Sequence, residues 1–92
     1  MGVSQHDPEN HQDVGSADVA EESRRIRRLQ IMMQMVMSVI SQDPSMTLEE
    51  ASEMAAEARR AALAMFPGKE LAYDLIYRPR VQRILNERFR LQ

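Results

Sequence analysis

The chain of 92 residues has no cysteine and no tryptophan, and it has only two tyrosines and two phenylalanines. Without cysteine there is no disulfide, no thiol nucleophile and no cysteine-based zinc site. Both histidines, His6 and His11, lie near the N-terminus, so the rest of the chain has no imidazole for acid–base chemistry. The glycines, Gly2, Gly15 and Gly68, are too scattered for a phosphate-binding loop. We therefore expect a protein that is not an enzyme and that uses no cofactor.

Long apolar runs and basic N-terminal residues are also missing. The longest stretch without a charged residue, Leu29 to Gln42, has 14 residues, whereas a membrane-spanning helix needs about 20. The first 23 residues carry six acids and neither lysine nor arginine, while a secretory signal begins with basic residues. The sequence thus predicts no membrane span and a cytoplasmic location.

Residues 1–17 are acidic and contain few apolar side chains. Such a segment cannot bury enough surface to offset the entropy of ordering, so we predict a disordered tail before a helical domain at 18–92. The tail holds the chain's only cluster of metal-ligand residue types, which are His6, Asp7, His11 and Asp13. Because a disordered segment offers no second shell to orient such ligands, no metal site is predicted.

The remaining sequence has helical periodicity and no strand-like alternation. Asp18 with Glu21, and Thr47 with Glu50, have the spacing of capping boxes and predict two helix starts. Pro79 breaks a shorter third arm. These features predict an all-α fold, a small antiparallel bundle of three to four helices with its last arm broken at Pro79.

Apolar side chains at helical spacing define the inner faces of the second and last helices. The second helix also carries an acidic stripe, which is Glu49, Glu53 and Glu57. Its predicted inner face is Ala51, Met54, Ala55, Ala58, Ala62 and Met65. In the last helix the predicted inward residues are Val81, Ile84, Leu85 and Phe89.

The first predicted helix is apolar around most of its circumference, with only a narrow polar stripe that includes Gln30 and Gln34. Two partner arms cannot easily cover so wide a surface, and methionine-rich helices often form adaptable interfaces. The sequence therefore predicts a protein–protein interaction module, a homodimer or a protein that docks another protein. The predicted interaction residues are Met32, Met33, Val36, Met37, Val39 and Ile40.

Arginines near the C-terminus support an alternative function in another class. They could neutralise the phosphates of a nucleic acid, although the segment lacks a helix-turn-helix signature and the chain has a net charge of −2. They could equally face the acidic stripe or solvent. The candidate nucleic-acid contacts are Arg80, Arg83, Arg88 and Arg90.

Overall fold

The computed structural model describes the backbone of residues 9–90 and the side chains of residues 17–90. Its four helices are α1 (Glu9–Gln42), α2 (Leu48–Met65), α3 (Glu70–Ile76) and α4 (Arg78–Phe89). No strand occurs in this range, so the predicted all-α bundle is confirmed. No helix within it is both long and apolar enough to cross a membrane. Of the predicted disordered tail, residues 1–8 lie outside the described residues.

The first helix begins earlier than its capping signature predicts. It starts at Glu9, so Asp18 lies inside α1 and is not its N-cap. Extending an existing helix requires no new nucleus, and the continuation through Gly15 costs only about 1 kcal/mol relative to alanine. The capping-box prediction at Asp18 is therefore wrong, although Glu21 does accept a hydrogen bond from Arg24 at 3.0 Å.

The turn between α1 and α2 is fixed by local hydrogen bonds. The predicted capping box forms: the Glu50 amide donates to Thr47 Oγ1 at 3.1 Å, and the Thr47 amide donates to Glu50 Oε1 at 3.0 Å. Ser45 donates its hydroxyl and its amide to the Asp43 carboxylate, which lowers the pKa of that carboxyl. Arg88 donates to the Asp43 carbonyl at 2.7 Å, so the end of α4 is held against this turn.

The core lies where α1, α2 and α4 meet, and the predicted inner faces supply it. Alanines on α2 have the smallest side chains in the core and allow close helix approach. The buried residues are Met33, Ile40, Ala51, Ala58, Ala62, Tyr73, Val81 and Leu85. Both Ile84 and Phe89 pack against them from α4, as the periodicity predicts.

The third arm is broken, as predicted, next to Pro79. Only Tyr77 separates α3 from α4, and Pro79 occupies the first turn of α4, where its missing amide hydrogen costs little. An ion pair then holds α3 against α2, because Arg59 Nε and Nη2 donate to the two carboxylate oxygens of Asp74 at 3.0 and 3.1 Å. Arg78, one turn after Asp74, lies farther away, with Nη1 4.0 Å from Oδ2 of Asp74.

This ion pair predicts how stability responds to acid. Hydrogen bonds from Arg59 hold the pKa of the Asp74 carboxyl below its ordinary value of 3.8. A carboxyl whose pKa is lower in the folded protein than in the unfolded chain stabilises the fold at pH values above the unfolded-state pKa. This stabilisation is lost as the pH falls through the folded-state pKa. We therefore expect the urea concentration at the unfolding midpoint to decrease as the pH is lowered below 3.8.

The Asp74→Asn variant tests that assignment. We expect it to be less stable than the wild type at neutral pH and to lose less stability on acidification to about pH 3. The measurement is the urea midpoint of both proteins at the two pH values. An unchanged pH dependence in the variant would show that the pair does not contribute, leaving Asp43 as the other carboxyl with a lowered pKa.

Candidate docking groove

An open groove separates α1 from α3. No Cα atom of α1 comes within 8 Å of a Cα atom of α3, although both helices pack on the rest of the bundle. The space between them measures about 770 Å³, which is within the range of ligand-binding clefts. The end of α2 and the start of α4 complete its lining. We call this space the docking groove.

The floor of the docking groove is formed by two buried side chains. The Tyr73 hydroxyl donates to Met33 Sδ at 3.8 Å, which joins α3 to α1 below the opening. Burial raises the pKa of the Tyr73 phenol, so this donor keeps its proton at neutral pH. Tyr77 packs beside it with the ring centroids 5.6 Å apart. The floor is therefore aromatic and well anchored.

The walls are largely apolar, and α1 contributes the only amide side chains. Gln30 and Gln34, one turn apart, line the α1 wall together with Ile26 and Met37. The opposite wall comes from α3 through Ala72 and Ile76. The end of α2 closes the groove with Ala62, Leu63 and Phe66.

The only charged side chains that line the docking groove are basic. These are Lys69, immediately before α3, and Arg80, in the first turn of α4. Neither forms an ion pair with a described residue, and the Arg80 guanidinium lies 5.6 Å from the centre of the Tyr77 ring. The nearby carboxylate of Asp74 is instead bound to Arg59. The opening consequently has a positive rim.

Of the six interaction residues predicted from sequence, two line the docking groove, namely Met33 and Met37. Met33 and Ile40 are fully buried in the protein's own core. Met32 and Val36 are partly buried against that core, and Val39 is exposed. The predicted set therefore combines core, groove and outer-surface positions.

A second apolar surface lies on the side of α1 away from the docking groove. Ile31, Met35 and Val39 follow one another at one-turn intervals and are exposed. They line neither the docking groove nor the smaller cavity between α2 and α4. We call these three side chains the outer stripe.

The four candidate nucleic-acid contacts have different surroundings. Arg80 lines the docking groove, while Arg83 is exposed on α4. Arg88 already donates to the Asp43 carbonyl, and its guanidinium lies 4.8 Å from the centre of the Phe89 ring. Arg90 ends α4 in a left-handed conformation with φ 57°.

The acidic stripe of α2 is paired locally rather than with these C-terminal arginines. Arg60 lies 3.4 Å from Glu53 and 3.1 Å from Glu57, and all three side chains are largely exposed. Pairs of this kind contribute at most about 1 kcal/mol.

Sequence reasoning missed most of the docking groove. It identified Met33 and Met37 as apolar positions, but it did not select Ile26, Tyr73 or Ile76. The sequence of α3 did contain a sign of an apolar surface. This helix has only seven residues, and its three large aliphatic side chains, Leu71, Leu75 and Ile76, all remain exposed. Ile76 lines the groove, while Leu71 and Leu75 are exposed and do not line it.

Among the side chains of residues 17–90, no three histidine, aspartate or glutamate residues are grouped as metal ligands. The cluster of metal-ligand residue types at His6, Asp7, His11 and Asp13, where no metal site was predicted, lies outside the side chains that the structure describes. Comparison with protein-family models, curated proteins and solved structures finds no match.

Proposed function

We propose that this protein is a non-catalytic helical interaction module that binds a helix of a partner protein in the docking groove. The observation that carries the proposal is the groove itself, an open and mostly apolar space between two helices that do not approach each other. Amphipathic helices commonly bind in grooves of this kind, with their apolar face directed inward.

The dimensions of the docking groove suit a helix. Along α1 its lining runs from Ile26 to Met37, which corresponds to roughly 16 Å or three helical turns. The side chains that line it supply aromatic and aliphatic contact surface but no carboxylate, imidazole or thiol. This lining supports a binding role rather than a catalytic one.

Self-association through α1 stays a prediction, and the outer stripe is the surface available for it. In an antiparallel pair of α1 helices, Met35 would meet its own copy and Ile31 would meet Val39. Three side chains supply far less than the roughly 800 Å² per partner of a standard interface. We therefore expect a dimer through the outer stripe to be weak.

Two substitutions on α1 test the proposal because they add the same charge on different faces. Ile26→Glu alters the docking groove and Ile31→Glu alters the outer stripe; the two isoleucines are 41% and 51% exposed. We expect both variants to keep the helical circular dichroism spectrum. A displayed library of amphipathic helices should yield binders on the wild type and on Ile31→Glu, but not on Ile26→Glu.

The molar mass of the same three proteins, measured by light scattering, identifies a second copy of the chain. A mass near twice 10.6 kDa that Ile31→Glu reduces would assign self-association to the outer stripe. If no helix binds the wild type in the library selection, or if Ile26→Glu retains every binder, the docking groove is not a helix-binding site.

A further inference from the structure

Resting on the proposed function, we infer that the occupant of the docking groove is an acidic amphipathic helix of another protein. Its apolar face covers the floor and walls, and carboxylates on one flank meet Lys69 and Arg80. The chemistry of this partner is left open by the proposed function.

The floor and walls of the docking groove match the apolar face of a helix. Met33 and Tyr73 fix the bottom of the groove, while Ile26, Met37 and Ile76 provide apolar walls above it. A helix about three turns long with apolar residues at i, i+3, i+4 and i+7 presents one continuous apolar face to such a lining. Methionine side chains allow the lining to adapt to different residues on that face.

The rim of the docking groove is positively charged. Lys69 and Arg80 flank α3 and are the only charged residues that line the groove. Of the two acids on α3, Asp74 is bound to Arg59, and Glu70, the neighbour of Lys69 in the chain, does not line the groove. A basic occupant would place like charges together at the groove opening, whereas an acidic one gains attraction at both ends of the α3 wall.

The two walls of the docking groove differ in charge. The α1 wall presents Gln30 and Gln34, which are neutral and can both donate and accept hydrogen bonds. The opposite wall carries both positive charges. The carboxylates of the occupant should therefore lie on one flank of its apolar face, and neutral polar residues should lie on the other.

Among the described residues, no exposed face of this chain supplies such a helix. The acidic helix α2 buries its apolar face in the core, and α3, which exposes Leu71 and Leu75, is only seven residues long. Residues 17–24 of α1 are all exposed and carry three acids, but Val19 is their only large apolar side chain. The exposed side of α4 is basic and would meet Lys69 and Arg80 with like charge. The chemistry of the groove therefore favours a helix from another protein.

The experiment is a selection from a displayed library of helices about four turns long, with a fixed apolar face and randomised flanks. It is run on the wild type, on the double variant Lys69→Glu/Arg80→Glu, and on the control Arg28→Glu/Arg83→Glu. All four substituted residues are exposed, and both variants change the net charge equally. Only the first pair lines the docking groove.

We expect the wild type and the control to enrich helices with acids on one flank. A selected acidic peptide, measured by fluorescence anisotropy, should bind the Lys69→Glu/Arg80→Glu variant about tenfold more weakly. This difference should shrink as salt approaches about 1 M, because the rim charges face water.

Three results would overturn the inference. Enrichment of neutral or basic helices that bind the groove would contradict an acidic partner, while helix binding in the groove, the proposed function, would still hold. If no helix binds the wild type, both the acidic partner and the proposed helix-binding function are wrong. A dimer in light scattering that the Lys69→Glu/Arg80→Glu variant abolishes, and the control does not, would identify a second copy as the occupant.

Discussion

Replacing Ile40 by aspartate should leave the protein largely unfolded at room temperature. Ile40 is fully buried in the core formed by α1, α2 and α4, and no buried polar residue lies among the described residues to receive a carboxylate. The substitution removes an aliphatic side chain whose loss typically costs about 2 to 5 kcal/mol. It also buries a carboxyl group, which must either remain charged without a partner or take up a proton.

The position of Ile40 in α1 adds to the effect. It lies in the last turn, since α1 ends at Gln42, and a negative charge there opposes the helix dipole by about 0.3 to 1 kcal/mol. The bundle of residues 17–90 is small, and a single hydrophobic core in a domain of fewer than about 80 residues rarely supplies more than about 3 to 5 kcal/mol. A combined loss of about 5 kcal/mol or more therefore removes most of the folded population.

Ile31→Asp is the matched control for this prediction. Ile31 lies on the same helix and is 51% exposed. Its replacement by aspartate lowers the helix propensity by the same amount as at position 40, about 0.5 kcal/mol. Thermal and urea unfolding followed by circular dichroism should show a cooperative transition for the control and little or none for Ile40→Asp. Similar midpoints for the two variants would mean that Ile40 is not the core residue that the fold requires.

Periodicity predicted the core because local sequence determines which side of a helix is apolar. Ala51, Ala58 and Ala62 were assigned to the inner face of α2 from their spacing, and all three are buried. The same argument placed Val81 and Leu85 inward on α4. The Thr47–Glu50 capping box was predictable for the same reason, since its partners are only three residues apart.

The docking groove could not be predicted in this way because it depends on contacts between distant residues. The Met33–Tyr73 hydrogen bond joins residues that are 40 positions apart in the chain. The Arg59–Asp74 pair, which holds α3 against α2, joins residues that are 15 positions apart. Spacing within a helix contains no information about either contact.

The breadth of the apolar surface on α1 was predicted correctly, but its division among several roles was not. Met33 and Ile40 face the core, Met37 faces the docking groove, and Met35 lies on the outer stripe. The bundle thus covers the middle of the apolar surface and leaves its two flanks open. A helix that is apolar around most of its girth can therefore contribute to the core of a single chain and still leave two apolar strips exposed.

The second large expected effect concerns the close packing of α2 in the bundle. Ala58 is only 4% exposed and lies one turn from Ala62, which lines the docking groove. Leucine at position 58 adds three carbon atoms to a face where alanines allow the helices to pack closely. Overpacking of this kind costs about 1 to 3 kcal/mol, because side chains must leave their preferred rotamers or the helices must separate.

Ala61→Leu separates packing from helix propensity, since Ala61 is exposed on the same helix. We expect its free energy of unfolding to stay within about 0.5 kcal/mol of the wild-type value. Ala58→Leu should unfold at a clearly lower urea concentration. Displacement of α2 should also distort the docking groove at Ala62, so helix binding should weaken in Ala58→Leu and not in Ala61→Leu. Equal stability and equal binding in the two variants would show that the alanine face of α2 does not set the helix spacing on which the groove depends.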